Sequence, residues 1–178
     1  MIMNATQSRL VLIDFQPRLM AAIDEADFVL KNAQRLAQAA KILQVPAWAT
    51  EQNPSKLGGI DPVLASLVQE TFGKMEFGSG DAGLFERLRS SSAQDTIVVA
   101  GCEAHICLLQ TALKLKASGF EVVAVSDACG SRTPRNYGAA MARLAGAGCH
   151  VVTTEMVLFE WLGSAAHDRF KEVQALIK

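Results

Sequence analysis

TIVVAGCEAHICLLQTALKLKASGFEVVAV, residues 96–125, decides the fold. Thr96–Ala100 is short, apolar and β-branched, as a strand buried on both faces is. His105–Ser118 reads as a helix with Ile106, Leu109 and Leu113 on one stripe and Gly119 as its C′ stop. Phe120–Val125 is the next buried strand. Near-continuous apolar strands alternating with helices mean a parallel sheet covered on both faces.

The same rhythm runs outward in both directions. Arg9–Phe15, Pro46–Thr50, Thr71–Met75 and Cys149–Val152 read as the remaining strands. Asp27–Leu43 is an amphipathic helix carrying Val29, Ala33, Leu36, Ala40 and Leu43. Glu51–Gly59 reads as loop, broken by Asn53-Pro54 and Gly58-Gly59, and Asp61–Glu70 as a short helix. Asp81 is placed to cap a helix bearing Leu84, Phe85 and Leu88. Thr133-Pro134 opens a helix with Tyr137, Met141 and Leu144 on its stripe, closed by Gly148. Two further helices are expected around Met156–Leu162 and Asp168–Ile177. The expected architecture is α/β: a three-layer, Rossmann-like sandwich with a six-stranded parallel sheet in the order 3-2-1-4-5-6. No repeat or low-complexity tract interrupts it, and residues 1–178 read as a single domain.

Composition narrows the function classes. Half of the 178 residues are apolar, a fifth are charged and the formal net charge is −1. That balance gives no electrostatic case for nucleic acid or an anionic membrane surface. No apolar run is long enough to span a bilayer. The N-terminus lacks a basic stretch followed by an apolar one, so a cytoplasmic protein is expected. Cys102, Cys107, Cys129 and Cys149 have irregular spacing and form no C-x-x-C, which favours reduced thiols.

In a sheet of this order ligands sit beyond the carboxyl ends of the strands, in the crevice between the first and fourth. Asp14 ends the first strand and the segment Gly101–Cys107 follows the fourth. A carboxylate interrupting VLIDFQ needs a partner, because desolvating an ion is costly; it reads as a base at a strand end or as a cap. Cys107 falls in the first turn of its helix, where free amides and the macrodipole favour a thiolate. On position alone it reads equally well as a buried, inert cysteine. Lys74, in GKMEFG, reads by itself as a solvated surface charge.

AGCEAHICLLQTALKLKASGFEVVAVSDACGSRTP resembles the nucleophile–helix–strand stretch of the isochorismatase-like cysteine hydrolases. LVLIDFQPRL is similar to their first strand, and TEQNPSKLGG and HDRFKEVQALIK resemble the subgroup of isochorismatase domain-containing proteins. The resemblance implies a catalytic Asp14–Lys74–Cys107 triad, with the lysine favouring the thiolate and lowering the thiol's pKa. It implies an oxyanion hole made by the backbone N–H groups of Glu103 and Cys107, and a cis peptide at Cys102–Glu103. The expected activity is hydrolysis of a small amide or related electrophile through a covalent, thioester-type intermediate. Phe15, Gln52 and Phe77 are expected to wall the substrate pocket. Members of this family commonly assemble, so a homo-oligomer is expected, with Phe159 and Trp161 available to an interface.

Ala104 stands where many members carry threonine. The metal-binding Asp-x-His of the nicotinamidases is replaced by Thr50-Glu51-Gln52-Asn53, and His105, His150 and His167 are not suitably placed. No metal and no cofactor are therefore expected. Cys102, His105 and Cys107 fit no zinc spacing, and Cys129 and Cys149 read as small core or loop residues. Trp48, Phe72 and Trp161 read as core. Asp14-Phe15-Gln16-Pro17-Arg18 lacks the glycines of a dinucleotide fold, and no G-x-x-x-x-G-K is present. Gly78-Ser79-Gly80 is not a G-x-S-x-G elbow. The alternative to an enzyme is a non-catalytic binding or scaffold protein on the same fold.

Overall fold

The computed structural model describes residues 1–79, 83–89 and 96–178. Six parallel strands form one sheet in the order β3-β2-β1-β4-β5-β6. They are β1 (Ser8–Ile13), β2 (Ala47–Gln52), β3 (Glu70–Lys74), β4 (Thr96–Cys102), β5 (Glu121–Gly130) and β6 (His150–Val152). Helices α1 (Pro17–Met20), α2 (Ala26–Ile42), α3 (Pro54–Leu57), α4 (Pro62–Ala65) and α5 (Leu84–Arg89) precede β4. After it come α6 (Leu109–Ala117), α7 (Pro134–Gly146), α8 (Thr154–Leu162) and α9 (Phe170–Gln174).

Strand alternation sorts the core into two layers. Leu10, Leu12, Val98, Ala100 and Cys102 face α2 and α8, packing with Ala33, Leu36, Val157 and Trp161. Val11, Ile13, Ile97 and Val99 face the other way, against Leu84 and Leu88 of α5, Ala112 and Leu115 of α6, and Leu144 of α7. β1 and β4 are wholly buried, and from Leu10 and Ile97 onward they are apolar runs.

Several boundaries differ from the sequence expectation, each for a local reason. The helix expected over Asp61–Glu70 is only α4: Asp61 caps it through Val63 and Leu64, and Glu70 pairs with Trp48 in the sheet. Glu51 and Gln52 continue β2 instead of starting a loop, because they pair with Gly73 and Lys74. The helix expected to begin at His105 opens with a π-helical turn, Ala104–Leu108, before α6. Leu109 of the expected stripe is buried, with Leu108, Thr111, Ala112 and Leu115, whereas Ile106 and Leu113 are half-buried. β5 runs on to Gly130 through a register shift opposite Val99 and Gly101. Trp48 and Trp161 are buried, whereas Phe72 is half-buried. The C-terminal helix is shorter than expected, Phe170–Gln174. The cap expected at Asp81 lies outside the described residues.

Gly101 holds the centre together. It pairs with Ile13, and a Cβ there would overlap the Ile13 carbonyl oxygen and lie 2.7 Å from the Ile13 Cβ. Only glycine lets β4 approach β1 this closely just before Asp14 leaves the sheet.

Candidate active site

Asp14 follows β1 with φ 55°, a left-handed conformation that a short polar side chain tolerates better than most. Its amide donates to the Thr50 carbonyl at 3.1 Å, and the Gln16 amide donates back to its carbonyl at 2.8 Å. The turn leaves a fully buried carboxylate at the carboxyl end of β1. Oδ1 accepts from the Thr50 hydroxyl at 2.7 Å. Oδ2 pairs with the Lys74 ammonium at 2.7 Å, both side chains being 0 % exposed. Such a pair is held in place by its geometry, because neither ion could stay there alone.

Sheet register delivers the other groups. Gln52 and Lys74 are register partners at the ends of β2 and β3, and the Lys74 ammonium also donates to the Gln52 side-chain oxygen at 2.7 Å. Lys74 is therefore a buried ion; the reading of its segment as solvated surface does not hold. The Cys107 thiol, carried by the turn after β4, donates to the same Gln52 oxygen at 3.9 Å, a contact of sulfur length. Glu103 starts that turn, its carbonyl accepting from Ile106 at 3.0 Å and Leu108 at 3.3 Å. Its carboxylate takes Arg132 Nε at 2.9 Å. The Cys102–Glu103 peptide bond is cis.

The electrostatics differ from the expectation of a thiol biased toward thiolate. Burial pushes the Cys107 thiol up from its ordinary value near 9.0 to about 12. The charge of the Asp14 carboxylate adds to the rise, while the charge of Lys74 opposes it. With only 5 % of the residue exposed, desolvation outweighs the helix terminus. The resting group is a thiol beside a carboxylate and an ammonium. Such an arrangement can pass a proton from sulfur to carboxylate without changing its net charge.

Phe15 does not wall the crevice: it is 0 % exposed and packs in the core on the α2 side of the sheet. Phe77 is exposed, on the segment just past Lys74. Gln52 lies at the centre, with its amide nitrogen donating to the Met75 carbonyl at 2.8 Å. Two residues that grip the site carry no mark in the sequence, Thr50 and Gln16. Their signal is only a polar side chain, each within a buried strand or strand end. Cys129 and Cys149 are buried in the core on the α6 and α7 side. Among the described residues, no group of three His, Cys, Asp or Glu side chains is placed to hold a metal ion.

Residues 8–156 match the family model described as the isochorismatase domain. The chain belongs to the isochorismatase family. It is 36 % identical over 170 residues to isochorismatase domain-containing protein 2 of Xenopus laevis, covering 96 % of this chain and 83 % of that one. It is 37 % identical over 169 residues to isochorismatase domain-containing protein 1 of Danio rerio, covering 93 % of this chain but 59 % of that longer protein. The solved structure of the MAR1 ribonuclease from Caenorhabditis elegans superposes with a TM-score of 0.92 at 31 % identity, covering 98 % of this chain and 91 % of that one. Among isochorismatase-family proteins this one thus has relatives along nearly its whole length.

Proposed function

We propose that this isochorismatase-family protein is a metal-independent cysteine hydrolase that cleaves the C–N bond of a small amide, with Cys107 as nucleophile. The observation that carries the reading is the fully buried Asp14–Lys74 pair, 2.7 Å apart, with the Cys107 thiol donating to the same Gln52 oxygen that Lys74 donates to. Asp14 takes the thiol proton as sulfur attacks the carbonyl carbon, so a carbon–sulfur bond forms and charge develops on oxygen. The backbone N–H groups of Glu103 and Cys107 are proposed to receive that oxyanion. Collapse breaks the C–N bond, Asp14 returns the proton to the departing amine, and a thioester remains on Cys107. Water then attacks the thioester with Asp14 again as base, releasing the acid and restoring the thiol.

Asp14 has one oxygen committed to Lys74 and the other to Thr50, which supports a reaction without a metal on that carboxylate. Phe77 and the neighbouring Met75, both exposed, are proposed to form an apolar lip for the substrate. A second reading, RNA hydrolysis, comes from the name of the nematode relative. The net charge of −1 weighs against it, because RNA affinity is carried largely by phosphate neutralisation.

Screening a panel of small amides, with labelled RNA beside it, tests the assignment. The expected result is turnover of an amide, an acyl adduct on Cys107 by intact mass, and neither with Cys107→Ala. Amide turnover that survives Cys107→Ala would overturn the nucleophile. Cleavage of RNA without any amide turnover would put the second reading in its place.

A further inference from the structure

We propose that Gln52 is a positioning residue of this site: its side-chain oxygen is the second acceptor of the Lys74 ammonium and so turns the remaining N–H toward Cys107. The inference rests on the reading of Cys107 as the nucleophile. An ammonium has three N–H donors, and a buried donor without an acceptor is costly. One goes to Asp14 Oδ2 and one to Gln52 Oε1, each at 2.7 Å. The third is left for the sulfur, which lies 3.9 Å from the same Gln52 oxygen. Carboxylate, carboxamide and thiolate then match the three donors one for one.

Gln52 is held for this task. Its Nε2 donates to the Met75 carbonyl at 2.8 Å, which fixes the amide with its oxygen toward Lys74. A flipped amide would set an NH2 against an ammonium. Its backbone is clamped by the fully buried Gln16, whose side-chain oxygen accepts from the Gln52 amide at 2.8 Å. The Gln16 nitrogen donates to the Gln52 carbonyl at 3.0 Å and to Gly58 at 2.6 Å. Alternation along β2 divides the labour: Thr50 grips Asp14, and Gln52, two residues on and on the same face, grips Lys74. In the resting state the thiol also leans on Gln52 Oε1. Once the proton has moved to Asp14, sulfur can only accept, and the lysine N–H held beside it is the donor.

Site-resolved alkylation by iodoacetamide, read by mass spectrometry across alkaline pH, tests this without a substrate. Gln52→Met keeps the length and removes the acceptor, and Gln52→Glu keeps the acceptor and adds an anion. Gln52→Met is expected to slow alkylation of Cys107 by at least about tenfold, the scale of a lost charge-assisted hydrogen bond, while Cys149 reacts at its wild-type rate. Gln52→Glu is expected to slow Cys107 as well, because the added charge opposes the thiolate. A Cys107 rate within about twofold of wild type in the folded Gln52→Met protein would overturn the proposal. If that variant does not fold, an unchanged Cys107 rate in Gln52→Ser, whose side chain is too short to reach Lys74, overturns it instead. Amide turnover that persists in Cys107→Ala would refute the nucleophile while leaving an effect of Gln52 on alkylation standing, so the two failures are distinguishable.

Discussion

At the scale of the residue, Asp14 has two opposed effects on Cys107. It disfavours the thiolate by its charge, and it is the base that the proposed reaction needs. Asp14→Asn separates these effects. The neutral amide no longer repels the thiolate, so the Cys107 pKa is expected to fall from about 12 and alkylation to quicken. Turnover of an amide substrate is expected to drop by about 10²–10⁴-fold, the worth of a general base. Slower alkylation together with slower turnover would mean that Asp14 activates the thiol in the resting state. The same substitution leaves Lys74 buried without its counter-ion, at a stability cost of about 3–5 kcal/mol, so the assay belongs at low temperature. The charge at position 14 was legible from a carboxylate in an apolar strand. The direction of the thiol's shift was not, because it follows from how deeply the turn is buried.

At the scale of the element, the strands were legible because a strand buried on both faces is apolar along most of its length. Their ends were less so. Gln52 and Lys74 are polar, yet they extend β2 and β3 because their backbones pair with each other and their side chains meet in the crevice. The π-helical turn Ala104–Leu108 has no signature in AHICL. The close approach of β1 and β4 is the element-level feature on which the site's geometry hangs. Gly101→Ala is expected to cost about 3 kcal/mol, read as a lower urea midpoint, because the new methyl group meets backbone that cannot move aside. A wild-type midpoint would show that β1 and β4 part without penalty.

At the scale of the whole molecule, buried thiols tie stability to pH. Burial pushes Cys107 and Cys129 up to about 12, and it raises Cys102 as well. The unfolded chain releases thiol protons near the ordinary value of 9.0, whereas the folded protein holds those of Cys107 and Cys129 until about 12. Between those limits the native state binds more protons than the unfolded one, so stability falls as pH rises. It is fully present below the ordinary thiol value. Urea unfolding from about pH 8 to about pH 11 should show a falling midpoint, and Cys129→Ala should flatten the slope. A midpoint independent of pH over that range would mean that the buried thiols ionise as readily folded as unfolded.

The sequence by itself determined the layered α/β architecture, the strand order and the segments that line the crevice. Apolar periodicity and strand–helix alternation leave few ways to bury such faces, and ligands gather where the strand order reverses. It singled out Asp14 and Cys107 by position, and Lys74 through family resemblance. Only the tertiary structure decided that Phe15 serves the core, that Thr50, Gln16 and Gln52 grip the site, and that the resting Cys107 is a thiol. The physical reason is common to all of these. Which face a side chain takes at a strand end, what it donates to and how far it is desolvated depend on neighbours distant in the chain. Gln16, Gln52 and Lys74 become one unit only when β1, β2 and β3 lie in register.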